Sequence, residues 1–298
     1  MKDDDRTGLL LALAGFSLFP VADTITKSMA GEWSPLNVAA LRFGIGALVL
    51  GAVLVGREGV GALRPRHPWL QIGRGLCMAF ASLLFFSAIF AMPLADAIAL
   101  AFVSPVFTAL LAGWLLQEKV RWSVWIASAI ALTGVAIVLQ PNLLALGWVA
   151  VLPLGSAFFF ALMTVLNRAS IGGGSPLAMQ AYIAAAAMPF LLLAVFAGKF
   201  AGLPGHELTA PDWTVVLRCA AVAVIASSAH WLAYLGTMKA GASAVAPVIY
   251  VEIIVASVLG WVIFDDVPTP TTLLGAVIIV AAGVILWRFT PARGRTGN

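Results

Sequence analysis

Two long stretches of this chain repeat one another, and this duplication constrains the fold more than any single motif does. The stretch Met92–Pro141 recurs in altered form as Met238–Phe289. Each copy consists of an apolar segment, a short charged turn and a second apolar segment. The aligned positions include a Gly-Trp pair and an acidic residue: Gly113-Trp114 with Gly260-Trp261, and Glu118 with Asp265. Both copies are expected to adopt the same structure, so the repeat sets the architecture.

The duplication extends upstream of these stretches. Ser34-Pro35-Leu36 recurs as Ser175-Pro176-Leu177. A tryptophan with an arginine shortly after it also recurs, as Trp69 with Arg74 and as Trp213 with Arg218. The chain is therefore predicted to consist of two halves, residues 1–141 and 142–298.

Composition places this duplicated chain in a membrane. Hydrophobic residues make up 62% of the 298 residues and charged residues only 10%, with a mean hydropathy of +1.03. Soluble domains contain about 25% charged residues. The net charge of +4 comes from bases at the ends of apolar segments rather than from a basic cluster with exposed aromatics. Nucleic-acid binding is therefore not expected.

Residue types that carry chemistry are sparse. Cys77 and Cys219 lie in apolar segments and are expected to be buried free thiols rather than a disulfide. The sequence has no spacing typical of a metal site, a phosphate-binding loop or a catalytic nucleophile. We therefore expect no metal, no cofactor and no enzyme activity.

Ten segments have the length and composition of membrane-spanning helices, which need about 20 mostly apolar residues. Five lie in each half: 8–28, 36–56, 69–91, 94–116, 122–140, 147–168, 177–197, 213–236, 242–264 and 270–289. The first follows acidic residues and lacks a small-residue cleavage site, so we expect it to be retained. Glycines in two of the segments are expected to permit close helix contact: Gly44, Gly46, Gly51, Gly275 and Gly283.

The basic residues predict how these segments cross the membrane. With a cytoplasmic N-terminus, most lysines and arginines outside the segments lie on the inner side, and only Lys27, Lys199 and Arg218 lie on the outer side. Both termini are therefore predicted to be cytoplasmic, in a bacterial-type inner membrane. An odd number of crossings per half makes the second half enter from the opposite face. The predicted fold is all-α, with ten transmembrane helices in two inverted five-helix repeats around a central cavity.

Several motifs carry a resemblance to a known family. They comprise Lys27, Ser34-Pro35 and Arg42, Pro93 to Ala97, Ser104-Pro105, Gln117-Glu118, Gly134-Val135, Ala246-Pro247, Glu252 and Gly260-Trp261. With these motifs, nearly the whole chain resembles the drug/metabolite transporter superfamily, in its ten-helix form with two EamA domains. Asp265-Asp266 departs from the family pattern, which has Gly-Glu there.

The resemblance implies a basket-shaped bundle whose cavity is lined by the first, third, fourth, sixth, eighth and ninth segments. The fifth and tenth segments would lie outside it and support homodimer contacts. Members export amino acids or take up compounds such as riboflavin or S-adenosylmethionine, and the aromatic amino-acid exporters are the nearest comparison. The partners implied are a small-molecule substrate and the lipid bilayer.

Ionisable residues within the segments are candidates for function, because burying a charge in a bilayer costs about 2.5–3.5 kcal/mol on insertion scales. Asp23 and Lys27 lie four residues apart, so they either neutralise each other or contact substrate as a gate. Arg42 either holds the outer end of the first helix through Asp23 or contributes to the gate. Glu252 either binds a substrate ammonium group or a proton, or forms an internal bond with Tyr250 or Arg42.

Aromatic and polar residues on the eighth segment predict a substrate pocket. Ser227, His230 and Tyr234 share one helical face. The repeat aligns His230 with Phe86 and Tyr234 with Phe90. Further pocket candidates are Trp231, Phe102 and Tyr250. Such a pocket suits flat or apolar groups, although an aromatic stripe also suits simple helix packing. Bend points are expected at Pro20, Pro105 and Pro247, which are equally consistent with static kinks.

These features predict a secondary transporter of small amphipathic metabolites that works by alternating access. Export of aromatic or neutral amino acids is the leading expectation. Uptake of a planar metabolite such as riboflavin or S-adenosylmethionine is the alternative. A membrane scaffold that transports nothing is the alternative of another class.

Overall fold

The computed structural model describes residues 3–115, 117, 122–170, 172–201, 210–241 and 245–289, and no strand occurs among them. The α-helices in chain order are α1 (Asp3–Lys27), α2 (Pro35–Glu58), α3 (Pro68–Ala91), α4 (Leu94–Ala101), α5 (Ser104–Leu115), α6 (Trp122–Leu146), α7 (Leu152–Ala169), α8 (Pro176–Phe200), α9 (Trp213–Ala240), α10 (Val251–Phe264) and α11 (Pro270–Phe289). Short 3₁₀ helices occupy Val60–Leu63, Gly147–Val151 and Ala246–Tyr250. Glu118 of the predicted repeat and the C-terminal residues 290–298 lie outside the described residues.

The length and composition of the helices confirm an all-α membrane protein. Within the described ranges, 7 helical runs are long and apolar enough to cross a bilayer, and two shorter apolar helices span Val248–Phe264 and Pro270–Ile285. One of the runs, Trp125–Ala169, has 45 residues and contains the 3₁₀ segment Gly147–Val151. Measured along the chain, this run is on the order of 65 Å, about twice the apolar thickness of a bilayer, which is enough for two crossings. The number of ten crossings stays a prediction.

The duplicated Ser-Pro-Leu motif begins an equivalent helix in each half. The Ser34 hydroxyl accepts a hydrogen bond from the Asn37 amide of α2 at 3.2 Å. The Ser175 hydroxyl accepts one from the Ala178 amide of α8 at 3.0 Å. Serine satisfies an otherwise unpaired amide at a helix start, and the proline that follows already has a helical φ. The motif therefore specifies one local structure twice.

The equivalent helices α2 and α8 pack against each other and run antiparallel. Leu54, late in α2, packs on Ala178 and Tyr182, early in α8. Gly44, early in α2, faces Met188 farther along α8. Because each helix opens with the same motif, their opposite directions mean that the two halves are inverted, as the sequence predicts.

A second equivalent pair, α6 and α11, is joined by glycines. The backbone of Gly134 lies so close to that of Gly275 that a Cβ on either glycine would approach the other's carbonyl oxygen to within 2.8 or 2.7 Å. Val138 also packs on Gly275. Close approach of small residues is the main source of helix association in lipid, where the hydrophobic drive is absent.

Only some of the glycines expected at close contacts lie at one. Gly275 does, and Gly283 faces the Tyr250 hydroxyl so closely that a side chain there would overlap it. Gly46 and Gly51 have no neighbouring atom within 4 Å of a notional Cβ, so the expectation was wrong for these two. A further close contact, which was not expected, joins α1 to α9 through Gly8, Gly15 and Gly236.

The fourth segment of each half is interrupted. In the first half, α4 ends at Ala101 and α5 begins at Ser104. In the second half, the 3₁₀ segment Ala246–Tyr250 precedes α10. Discontinuous helices at corresponding positions of two inverted repeats are typical of carriers, because their free backbone groups lie near the middle of the membrane.

Candidate functional site

A cavity of about 460 Å³ lies between α2, α8 and α9. A smaller cavity of about 50 Å³ adjoins it and reaches Arg42 and Phe43. The two share lining residues from all three helices: Leu50, Gln180, Ser227 and His230. The lining of the larger cavity extends from Arg57, near the end of α2, to His230, where the smaller cavity adjoins it.

The lining of this cavity comes from three helices. The family resemblance implied a cavity lined by six segments, and that lining stays a prediction. The larger of the two cavities is bounded by the second, seventh and eighth predicted segments, which are α2, α8 and α9. Small side chains on facing helices account for the space, with Gly46 on α2 and Ala223 and Ala226 on α9 lining its inner part. Gly46 therefore leaves a void instead of bringing two helices together.

The residues expected on one face of α9 all line the larger cavity. They are Ser227, His230, Trp231 and Tyr234. The rings of Trp231 and Tyr234 lie 5.9 Å apart, centroid to centroid, at a tilt of 35°. The Ser227 hydroxyl donates to the Ala223 carbonyl at 2.7 Å, so its proton is already used within the helix.

Two residues of the site were missed from the sequence. Phe19 of α1 packs edge-on against the His230 ring, with centroids 4.7 Å apart. Gln180 of α8 lines both parts of the cavity, and no other described residue forms a hydrogen bond with its side-chain amide. A lone amide in an apolar segment is a signal that could have identified Gln180, because uncompensated polar groups are costly in a membrane.

Charged residues gather beside the inner part of the cavity. Asp23 of α1, Arg42 of α2 and Glu252 of α10 are partly buried, as is His230. Arg42 interacts electrostatically with Asp23 and with His230, and Asp23 with Glu252. These four residues, here called the charge cluster, come from four different helices.

The charge cluster contains more acid than base. It holds two carboxylates and one guanidinium, beside an imidazole. The Arg42 guanidinium also lies over the rings of Phe43 and Phe86, 5.1 and 5.2 Å from their centroids. Stacking on aromatic faces stabilises a guanidinium out of water. The arrangement therefore leaves an acidic group that can bind a cationic group or a proton.

Lys27 lies apart from this cluster. Its ammonium group contacts Asp266 at 2.5 Å and the Met92 carbonyl at 2.9 Å, and not Asp23, so the expected neutral pair with Asp23 is not formed. It also lies 5.0 Å from the centroid of the Phe264 ring. Lys27 thus joins the end of α1 to the α3–α4 and α10–α11 connections.

A second polar network lies near these connections. Asp96 is buried and accepts hydrogen bonds from Asn142 at 2.7 Å and from Thr272 at 2.6 Å. It links the start of α4 to α6 and α11. The contacts of Lys27 and the contacts of Asp96 both join elements of the first half to elements of the second half.

The remaining candidates lie outside the cavity lining. Phe102 and Tyr250 contact each other, with ring centroids 5.5 Å apart. Phe86 is buried beneath Arg42, and Phe90 is partly buried against the core. Cys77 and Cys219 are buried free thiols, as expected.

The three bend candidates differ in their backbone setting. Pro105 is the second residue of α5, immediately after the interruption of the fourth segment. Pro247 lies in the 3₁₀ segment that precedes α10. Pro20 lies inside α1, which continues to Lys27.

Comparison with known proteins shows which family has this arrangement. The model of the EamA-like transporter family matches residues 6–140 and again residues 147–288. The S-adenosylmethionine uptake transporter of Rickettsia prowazekii is 25% identical over 89% of this chain and 87% of its own length. The riboflavin transporter of Rhizobium johnstonii is 27% identical over 99% of each chain. The pseudopaline exporter CntI of Pseudomonas aeruginosa (strain PAO1) is 26% identical over 95% of this chain and 96% of its own.

A solved crystal structure has the same fold. Its TM-score is 0.62 at 20% sequence identity, and the match covers 94% of this chain and 96% of the other. The family and the relatives are transporters, not enzymes. The chain is a multi-pass membrane protein with two EamA repeats, and it belongs to the EamA-like transporter family of the drug/metabolite transporter superfamily.

Proposed function

We propose that this protein is a secondary transporter that carries a small amphipathic metabolite through the cavity between α2, α8 and α9 by alternating access. The observation that carries the proposal is the meeting of this cavity with the charge cluster at Arg42 and His230. Charged groups inside a bilayer are costly, and such residues commonly mark a substrate or ion pathway. The inverted halves supply two related conformations of one bundle.

The finer proposal is that the cargo is an aromatic or neutral amino acid and that the direction is export. Arg42 can pair with a carboxylate, and Glu252 together with Asp23 can hold an ammonium group. The rings of Trp231 and Tyr234 offer a wall for a flat or apolar side chain. An amino-acid zwitterion with such a side chain matches the charge cluster with its two charged groups and the aromatic lining of the larger cavity with its side chain.

The experiment is uptake of labelled phenylalanine, threonine and methionine into proteoliposomes. Transport should exceed that of empty vesicles. Glu252→Gln and His230→Ala should each lower the initial rate at low substrate concentration by about tenfold, the effect of losing a contact worth about 1.4 kcal/mol. Ser257→Ala is the matched control on α10, because the Ser257 hydroxyl donates to the carbonyl of Ile253 within the helix, at 2.7 Å, and to no other described residue.

Two results would count against the proposal. Normal rates in both variants, with folded protein verified by size-exclusion chromatography, would remove Glu252 and His230 from the site. An absence of transport for every amino acid, in vesicles that carry another substrate, would defeat the finer proposal alone.

Uptake of a planar metabolite is the second candidate. Gln180 offers both a donor and an acceptor to the cavity, and it lies with the rings of Trp231 and Tyr234 in the same lining. Such a surface suits a flat heterocycle with a polar edge. Relatives named for riboflavin and for S-adenosylmethionine uptake support this candidate. Labelled riboflavin and S-adenosylmethionine in the same vesicles separate it from amino-acid export.

Further features of the sequence analysis belong to the proposal. These are an inner-membrane location, cytoplasmic termini and a homodimer formed through the fifth and tenth segments, α6 and α11. A membrane scaffold is the candidate of another class. Thermal stabilisation of the purified protein by a small metabolite would argue against a scaffold, because a scaffold is not expected to bind such a compound.

A further inference from the structure

Arg74 of α3 is buried among uncharged hydrogen-bond acceptors, two of which belong to the other half of the protein. Its Nε donates to the Asn167 side chain of α7 at 2.5 Å, and its Nη2 donates to the Met179 carbonyl of α8 at 3.4 Å. Its Nη1 donates to Gln71, one turn earlier on its own helix. Arg74 therefore holds the last turn of α7 and the first turns of α8, which flank the α7–α8 connection, against α3.

Arg218 of α9 makes the corresponding contact with the first half. Its Nη1 donates to the Ser28 carbonyl at 3.0 Å and to Glu32 at 2.9 Å, while its Nη2 forms an ion pair with the same carboxylate. Its Nε donates at 3.3 Å to the Thr214 carbonyl, one turn earlier on its own helix. Arg218 therefore holds the connection between α1 and α2 against α9.

These contacts are related by the duplication. Arg74 and Arg218 occupy equivalent positions after an equivalent tryptophan. Arg218 binds the connection between the first two segments of the opposite half, and Arg74 binds the two helix ends that flank the corresponding connection. They lie at opposite ends of the bundle. Lys27, which precedes Ser28, bonds to Met92 just beyond the end of α3, and Arg74 lies 18 residues before Met92, about 27 Å along a helix.

We propose that Arg74 and Arg218 are a pair of positioning residues for the transport cycle, each stabilising closure of one face of the membrane. Inverted repeats generate their second conformation when the two halves exchange their local structures. Loss of the Arg218 contact frees the α1–α2 connection and favours opening at that end. Loss of the Arg74 contact frees the α7–α8 connection and favours opening at the other end. This inference depends on transport by the family, not on the identity of the cargo.

The two native cysteines report on the two ends. Cys219 is the residue after Arg218, and its sulfur lies 3.8 Å from that of Met29, next to Ser28 in the α1–α2 connection. Cys77 is three residues after Arg74 and packs with Met163 of α7 and Ile183 of α8. Each thiol is buried where its own arginine joins the two halves.

The test measures the labelling rate of each thiol by N-ethylmaleimide in proteoliposomes, with the other cysteine replaced by alanine. Arg218→Ala should raise the rate at Cys219 by about twofold to fivefold, the effect of losing an ion pair worth up to about 1 kcal/mol. It should also lower the rate at Cys77, because closing one end accompanies opening the other. Arg74→Ala should do the reverse. Glu32→Gln should act like Arg218→Ala, and Asn167→Ala like Arg74→Ala.

Controls separate this effect from loosened packing. Lys199→Ala removes an exposed base at the end of α8 and should leave both rates unchanged. Arg218→Lys should change the two labelling rates less than Arg218→Ala does, since lysine can still pair with one oxygen of the Glu32 carboxylate. Should Arg74→Ala fail to fold, Asn167→Ala and the Arg218 series still decide the question. An unchanged rate at the distant thiol, or a rise at both thiols, would overturn the proposal.

Discussion

At the scale of the residue, buried polar groups are the most exacting feature of this protein. Asp96 is only 4% exposed, yet both of its carboxylate oxygens accept a hydrogen bond, one from Asn142 and one from Thr272. Because Asp96 and Thr272 are buried, water does not readily replace these hydrogen bonds, so the three side chains depend on one another. Asp96 therefore has a structural role that its place in a family motif alone would not have revealed.

Replacing Asp96 by alanine should destabilise the protein. Each of its two partners would lose one hydrogen bond, although Asn142 keeps its bond to the Val138 carbonyl and Thr272 its bond with Thr269, and we expect a combined cost of about 1–3 kcal/mol. We expect a clear fall in the melting temperature in detergent, measured by the protein's intrinsic fluorescence. Asp96→Asn keeps an acceptor for one partner and should lose less. Equal losses in the two variants would contradict this account.

Sequence reasoning identified single polar residues better than their partners. Lys27 was recognised as a candidate, but its partner Asp266 is 239 positions away, and only folding brings the two together. Asp23 lies one turn from Lys27 and was the obvious partner from local spacing, yet Asp23 interacts electrostatically with Arg42, the other partner that the sequence suggested. Contacts over such distances are set by the packing of whole helices, which spacing within one helix does not reveal.

At the scale of the element, close contact between α1 and α9 depends on small residues. A Cβ placed on Gly236 would lie 2.7 Å from the backbone of Gly8 and of Ala12. The same occurs at Gly15, whose notional Cβ would lie 2.7 Å from the Ala233 amide. The two helices therefore pack with their backbones almost in contact.

Gly236→Val should separate these helices and reduce the yield of folded protein. Overpacking of this kind costs about 1–3 kcal/mol, because the obstructing atoms belong to a helix backbone that yields poorly. Fluorescence-detected size-exclusion chromatography after heating measures the loss. Gly51→Val is the matched control, since no atom of a neighbouring element lies within 4 Å of a Cβ placed there. Similar behaviour of the two variants would show that this contact is unimportant.

At the scale of the whole molecule, the duplication was the most informative feature of the sequence. It predicted two inverted halves, and the antiparallel pairs α2–α8 and α6–α11 bear this out. The location of the cavity was not predictable in the same way, because it depends on where facing small residues leave space. The cluster of Asp23, Arg42, His230 and Glu252 was assembled from separate candidates only once the helices were packed.

The inverted arrangement and the distribution of basic residues together predict the orientation of the chain. Reporter fusions to the first and last residues should both indicate the cytoplasm, with fluorescent protein active and alkaline phosphatase inactive at each end. A fusion within the α1–α2 connection should give the opposite pattern, because it lies one crossing away. A C-terminus on the periplasmic side, with the N-terminus inside, would contradict the predicted topology.

The glycine contact between α6 and α11 has a consequence for how this protein can evolve. Neither helix contributes a side chain to the cavity between α2, α8 and α9. Substrate selectivity can therefore change through substitutions in the cavity lining while the glycine contact between α6 and α11 is conserved. Paralogues adapted to different nutrients should vary most at positions equivalent to Leu50, Gln180 and Trp231, and least at those equivalent to Gly134 and Gly275.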